Sequence, residues 1–184
     1  VPETAATGPI AEIYADIRAC QGLPLVNLIW RYLATRPAAL EWAWERARPL
    51  YADGWADAAA AAFLDEHGFD LLPKVPESAL EALGLGPDDR AGIRQMLDAY
   101  NRGNSLNLVA LTAVLATRTT DPVHAPNKRA AVVSPLPPVP ALDTLEPTTH
   151  ALVLSLNRFG APRARSPVIA PLYRHLALWP GDLA

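Results

Sequence analysis

Two passages of seventeen residues, residues 24–40 and residues 167–183, are similar along their whole length without a gap. They share proline, arginine, leucine and alanine, and then a second proline and a second leucine, at matching positions, and Trp30 aligns with Tyr173. Such self-similarity is typical of a structural unit that one chain uses more than once. The chain is therefore predicted to be an internal duplication, in which one helical repeat is followed by the first two helices of a second.

The duplication implies an organisation in three segments. Residues 1–118 form the first helical repeat, residues 119–147 a proline-rich linker, and residues 148–184 the partial second repeat, all within one compact domain. The linker contains seven prolines, which exclude a long helix and favour an extended connection. The string SPLPPVP within it favours a semi-rigid linker along the surface, and the alternative is a polyproline ligand for a partner.

Composition places the chain among soluble all-α proteins. Of its 184 residues, 51% are hydrophobic and 19% are charged, and alanine and leucine are abundant whereas strand-favouring runs are nearly absent. The net charge of -3 argues against binding to nucleic acid or to an anionic membrane surface. There is no apolar run of about 20 residues and no signal peptide, so the expected location is the cytoplasm. The single cysteine, Cys20, excludes an internal disulfide.

Apolar periodicity and helix-end residues predict the individual helices. In chain order, we expect a helix from Thr7 that breaks at Gly22, one from Asn27 to about Ala34, one that Pro37 opens and Pro49 ends, one closed by Gly68, a short one over residues 77–86, one from residue 87 that stops at Gly103, one capped by Asn104 or Ser105, and one over residues 148–160.

Two groups of side chains are candidates for function. Asn101, Asn104 and Asn107 recur every three residues; helix capping explains one or two of them, but Asn107 lies within an apolar run and is the best candidate for a functional polar group. If it is buried, it must find hydrogen-bond partners. Trp30 either lines a pocket or fills the centre of a bundle. Trp42 and Trp44 are two residues apart and so face different ways, one of them towards a partner subunit or the other repeat.

No metal or cofactor site is predicted. The four histidines, His67, His124, His150 and His175, are scattered without metal-ligand spacing, and no phosphate-binding glycine motif occurs. Cys20 is followed three residues later by leucine rather than by a second cysteine, which argues against thiol redox chemistry. Arg31 and Arg174 align in the two passages and either hold a substrate carboxylate or pair with nearby acids and carbonyls.

The strings GPIAEIYADIR and GLPLVNLIWRYLATRPAALEWAWERARPLY, with AYNRGNSLNL further on, resemble the group I 2-haloacid dehalogenases. The resemblance implies an all-helical repeat of the alkylhydroperoxidase-D-like type, present twice in one chain as a pseudo-dimer. It also implies removal of halide from a short 2-halocarboxylic acid by direct attack of water, without a cofactor. An aspartate in the second repeat would then act as the general base.

The resemblance also implies which residues would bind substrate in a pocket between the two copies. Trp30 and Leu33 would form walls from the first copy, and Asn104 or Asn107 would contribute polar groups. From the second copy, Ala170, Leu172 and Tyr173 would line the site.

The sequence departs from the family at the base. The family's aspartate immediately precedes the Tyr-Arg pair of the second copy, where this chain has Leu172 before Tyr173 and Arg174. No catalytic residue is therefore assigned. The alternative function is a non-catalytic helical module that binds a small acid or another subunit. A bundle that stops after two helices of its second copy leaves apolar faces uncovered, so we expect a homodimer.

Overall fold

The computed structural model describes residues 1–67, 74–116, 135–160 and 169–183. Within these ranges the secondary structure is helical and contains no strand, so the all-α prediction is confirmed. None of the helices in the described ranges is both long and apolar enough to cross a membrane. Gly68, His124 and most of the predicted linker lie outside the described residues.

One-turn 3₁₀ helices at Glu3–Ala5 and Leu142–Thr144 precede the first and the seventh α-helix. In chain order they are α1 (Gly8–Gln21), α2 (Leu28–Leu33), α3 (Ala39–Ala52), α4 (Trp55–His67), α5 (Glu77–Ala82), α6 (Pro87–Leu115), α7 (Pro147–Gly160), α8 (Pro171–Leu176) and α9 (Pro180–Leu183).

The chain divides into two compact units. The first unit comprises Val1–Leu71 and Asp98–Pro135, and the second comprises Leu72–Leu97 and Leu136–Ala184. The long helix α6 contributes its first part to the second unit and its remainder to the first unit.

The core of the first unit is rich in aromatic residues. Tyr14, Trp30, Trp44 and Tyr51 are all at most 5% exposed and come from the first three helices. Alanines of α4 and α6 pack against them, and their small side chains allow these helices to approach closely.

Helix α6 corrects the prediction around Gly103. The sequence predicts that one helix stops at Gly103 and that another is capped by Asn104 or Ser105, but a single helix of 29 residues runs through this point. A Cβ atom at Gly103 would lie 2.5 Å from Asn27 Oδ1 and 2.9 Å from Leu23 Cδ1. Gly103 therefore allows close packing within a helix. It does not end one.

Helix α3 corrects a second boundary. Pro49 was expected to end it, but the helix continues to Ala52 with Pro49 inside it. Pro49 and Glu45 are both exposed, so water can bind the Glu45 carbonyl that the missing proline N–H leaves unpaired. Within α3, Trp44 is buried whereas Trp42 is 46% exposed, so the two do face different ways.

In the second unit, helix α8 binds the proline-rich segment that precedes α7. The Arg174 guanidinium donates to the Pro140 carbonyl from Nε at 2.9 Å and from Nη2 at 2.5 Å. The buried His175 places Nε2 2.6 Å from the Pro137 carbonyl, and burial lowers the pKa of this imidazole. The main-chain carbonyls of Pro137 and Pro140 therefore tie the described part of this segment to α8.

The two similar passages also have similar backbone hydrogen bonds. After α2, amides at residues 34, 35, 36 and 39 donate to carbonyls at residues 30, 32, 33 and 36. After α8, amides at residues 177, 178, 179 and 182 donate to carbonyls at residues 173, 175, 176 and 179, in the same register. The passages thus share a local pattern of backbone hydrogen bonds.

Replacing Gly103 with alanine tests the close packing of α6. Alanine favours a helix interior over glycine by about 1 kcal/mol, yet the added methyl group overlaps Asn27 and Leu23, which are both buried. We expect Gly103→Ala to lower the free energy of unfolding by about 1–3 kcal/mol in urea titrations. Gly86→Ala is the control, because its Cβ would meet its nearest neighbour at an ordinary 3.5 Å. A Gly103→Ala variant as stable as the parent would contradict this account.

Candidate functional site

Three donors converge on a single buried oxygen, Asn107 Oδ1. Gln21 Nε2 donates to it at 2.8 Å, Trp30 Nε1 at 2.9 Å and the Tyr51 hydroxyl at 2.9 Å. All four side chains are at most 5% exposed. Asn107 is thus the polar centre of the first unit, and its oxygen has the hydrogen-bond partners that a buried asparagine requires.

Each donor comes from a different helix. Gln21 is the last residue of α1, Trp30 lies in α2, and Tyr51 lies in the last turn of α3. Asn107 itself is on α6, four residues after Gly103, so the close approach that Gly103 allows occurs on the same face of the helix.

The geometry also fixes which way the amide of Asn107 points. If the amide were turned over, its NH₂ group would face the Trp30 indole N–H, which can only donate, and that hydrogen bond would be lost. In the orientation present, Asn107 Nδ2 is buried and has no hydrogen-bond partner among the described residues. The same holds for Gln21 Oε1. Because an unsatisfied buried polar atom costs about 1–3 kcal/mol, these atoms are candidates for contact with a ligand or water.

The aromatic rings around Asn107 form a compact group. Trp30 and Trp44 meet edge to face, with their centroids 5.4 Å apart, and Trp44 stacks on Tyr51 at 5.6 Å. Burial raises the pKa of the Tyr51 phenol, which therefore remains a protonated donor at neutral pH. The cluster provides an apolar wall beside a fixed polar group.

Asp16 is the carboxylate linked to this cluster. It accepts hydrogen bonds from Trp44 Nε1 at 2.8 Å and from Arg48 Nε at 2.7 Å. The hydrogen bond from Arg48, assisted by that from Trp44, holds the pKa of Asp16 below its usual value. A carboxylate that is already bound by a cation and an indole is a poor acceptor for a proton from water.

Of the other site residues predicted in the first copy, Leu33 is partly buried against the core. Asn104 is exposed, and its Oδ1 accepts a hydrogen bond from Asn27 Nδ2 at 3.2 Å. Asn101, Asn104 and Asn107 all lie inside α6, so the capping explanation for them is wrong.

The residues predicted in the second copy lie in the second unit. Ala170 precedes α8, and its N–H donates to Asn157 Oδ1 at 2.9 Å. Leu172 and Tyr173 are in the first turn of α8 and are partly buried.

Gln21, Tyr51 and Asp16 were not selected from the sequence as site residues. A signal for two of them was present: Gln21 follows Tyr14 and Ile17 at spacings of seven and four residues, and Tyr51 follows Trp44 and Ala47 at the same spacings. Both therefore lie on the buried face of their helix.

A shallow depression of about 290 Å³ lies elsewhere on the first unit. It is lined by Ile10 and by residues of the α2–α3 connection, with Arg36 and Glu41 as its charged groups. Asn107 is not part of its lining. Among the described residues, no group of three or more histidine, cysteine, aspartate or glutamate side chains could hold a metal ion.

Comparison with known proteins relates this chain to one class of enzyme. No family model matches the chain. A configuration-inverting 2-haloacid dehalogenase from Alcaligenes xylosoxydans xylosoxydans is 30% identical to it over 119 residues, which make up 64% of this chain and 40% of that enzyme. The chain is therefore similar in sequence to a 2-haloacid dehalogenase. It spans less than half the length of this relative.

A solved structure shows the same fold. The complex of a D-2-haloacid dehalogenase mutant with D-2-CPA matches all of this chain with a TM-score of 0.79 and 24% sequence identity. The match covers 66% of that dehalogenase chain. The all-helical fold that the sequence resemblance implied is therefore confirmed.

Substitution of Asn107 tests how far the first unit depends on its oxygen. Asn107→Leu leaves the donors of Gln21, Trp30 and Tyr51 buried without an acceptor, so we expect a loss of about 3 kcal/mol or more in the free energy of unfolding. Asn107→Asp keeps an acceptor oxygen in place and should lose less. Asn101→Leu, at an exposed site on the same helix, is the control, and denaturant unfolding followed by circular dichroism measures all three. Equal effects of the leucine substitutions at 101 and 107 would refute this role.

Proposed function

We propose that the chain is a 2-haloacid dehalogenase-like protein that binds short 2-halocarboxylic acids, with Asn107 as its polar anchor. The observation that carries the proposal is the buried Asn107 amide, whose oxygen is fully engaged and whose nitrogen has no partner among the described residues. An NH₂ group held in this way suits a carboxylate or halide, both of which only accept hydrogen bonds. The predicted cytoplasmic location remains a prediction.

The apolar neighbours of Asn107 support the same class of ligand. Trp30 donates its indole N–H to Asn107 and packs edge to face on Trp44, so an apolar surface adjoins the amide. A short haloacid has a small alkyl and halogen part beside a carboxylate, and sites for such ligands combine apolar walls with a few placed polar groups.

The reaction we propose is a single displacement. Water attacks C2 of the haloacid, the carbon–halogen bond breaks, halide leaves with the bonding electrons, and a carboxylate base takes the proton. Such a displacement inverts the configuration at C2, which agrees with the inverting activity in the name of the Alcaligenes relative. Leu172 occupies the position where the resemblance places the base, and leucine cannot accept a proton.

A second candidate function is therefore non-catalytic binding of a small acid. Leu172 is the observation that favours it, together with the engagement of Asp16 by Arg48 and Trp44. Both candidate functions use Asn107 as the ligand-binding group, and they differ only in whether a base completes the site.

We further propose that the chain is an internal duplication and forms a homodimer. The matched backbone hydrogen bonds after α2 and α8 support the duplication. Exposed apolar side chains support the dimer, because Trp42, Leu108 and Leu115 are 46%, 59% and 74% exposed. Light scattering at increasing concentration should give twice the monomer mass, and a constant monomer mass would exclude the dimer.

Chloride release distinguishes the two candidate functions. We expect the parent protein to bind 2-chloropropionate in calorimetric titrations but to release chloride slowly from either enantiomer. Leu172→Asp supplies a carboxylate where the resemblance expects the base, and should raise the rate of chloride release by about 100- to 10,000-fold.

The matched control is Leu172→Asn, which has nearly the same shape as aspartate but is no base at neutral pH. Fast release by the parent, with no gain in the aspartate variant, would show that another residue is the base. Absence of binding in the parent would refute the proposed function.

A further inference from the structure

We propose that Gln21 and Tyr51 are positioning residues that hold the Asn107 amide in one orientation, so that it meets its ligand only as a hydrogen-bond donor. The inference rests on the proposed function, because it takes Asn107 as the ligand-binding group. It adds two residues that neither the resemblance nor the sequence pattern had assigned to the site.

The hydrogen-bond acceptor capacity of the Asn107 oxygen is already used. A carbonyl oxygen has two lone pairs, and Asn107 Oδ1 already accepts from Gln21, Trp30 and Tyr51 at 2.8–2.9 Å. It has no capacity left for a ligand. Only Nδ2 remains, and it carries donors alone.

Gln21 and Tyr51 are themselves held in place by further contacts. The main-chain carbonyl of Gln21 accepts from Arg102 Nε and Nη2, both at 3.3 Å, and Arg102 also pairs with Asp57 at 2.7 Å. The Tyr51 ring stacks on Trp44, whose indole is bound by Asp16. The orientation of the amide is therefore set by contacts that extend to Asp57 in α4 and to Asp16 in α1.

The hydrogen bonds that the oxygen accepts also affect how strongly the NH₂ group of Asn107 donates. In a low-dielectric interior, hydrogen bonds accepted by a carbonyl polarise the amide and strengthen its N–H groups as donors. The ligand that suits such a group presents an anionic acceptor, as a carboxylate does. An amide free to turn over would offer its oxygen to the ligand part of the time and would bind an anion less tightly.

The test combines binding with nuclear magnetic resonance. In the full chain, Tyr51→Phe and Gln21→Met each remove one donor with little change in size, and Tyr32→Phe, at a tyrosine 48% exposed, is the matched control. We expect each of the first two variants to bind 2-chloropropionate about 3- to 10-fold more weakly, as the loss of one neutral hydrogen bond would suggest, and the control to bind unchanged.

The spectroscopic readout reports the orientation directly. With ¹⁵N-labelled asparagine, and with Asn107→Asp used to assign the signal, the nuclear Overhauser effect between the Trp30 indole N–H proton and the Asn107 NH₂ protons should be weak in the parent. It should become stronger in the double variant Tyr51→Phe/Gln21→Met, where Trp30 alone of the three donors still holds Oδ1 and the amide turns over part of the time. If the double variant does not fold, the single variants decide by their affinities.

The outcomes separate the two proposals. Parent-like affinity in Tyr51→Phe and Gln21→Met overturns the positioning role and leaves the proposed function intact. A parent that does not bind 2-chloropropionate removes the proposed function, and the Overhauser effect then decides the orientation alone. An intense effect in the parent overturns the inference.

Discussion

The first unit depends on one oxygen atom. Asn107 Oδ1 is the common acceptor for groups on α1, α2 and α3, and it is carried by α6. Apolar packing tolerates small shifts of a helix along its axis, but three hydrogen bonds to one atom do not. The cluster therefore fixes the register of α6 against three other helices and makes the arrangement of this core specific as well as stable.

Gly103 and Asn107 act together because they lie one turn apart on the same face of α6. Without a side chain at Gly103, the helix comes close enough to Leu23 and Asn27 for the short side chain of Asn107 to reach its donors. A larger residue at 103 would move the helix outward and stretch bonds that are formed four residues later. The two residues thus position α6 together, Gly103 by allowing close packing and Asn107 by hydrogen bonding.

The sequence predicts the helices well where the end signals are local. The end of α1 at Gly22 follows from a glycine in the left-handed conformation, which a sequence can suggest. The boundary at Gly103 was wrong because glycine also serves close helix packing, and only the neighbouring helix decides between these uses. For the same reason Asn107 was identified as a polar residue in an apolar run, whereas Gln21 and Tyr51 were not. Their partner is 86 and 56 residues away, respectively.

The hydrogen bonds of the folded core account for the side-chain oxygen of Asn107, but they leave its nitrogen without a partner among the described residues. A neutral amide is an economical acceptor for three buried donors, since a carboxylate there would add the cost of burying a charge. The NH₂ group that accompanies it lowers the free energy of unfolding by about 1–3 kcal/mol unless an acceptor binds it. The described residues provide no such acceptor. The proposed role of Asn107 in ligand binding therefore depends on its nitrogen alone. The proposed binding of a small acid is therefore independent of the departure at Leu172, because it does not require a base.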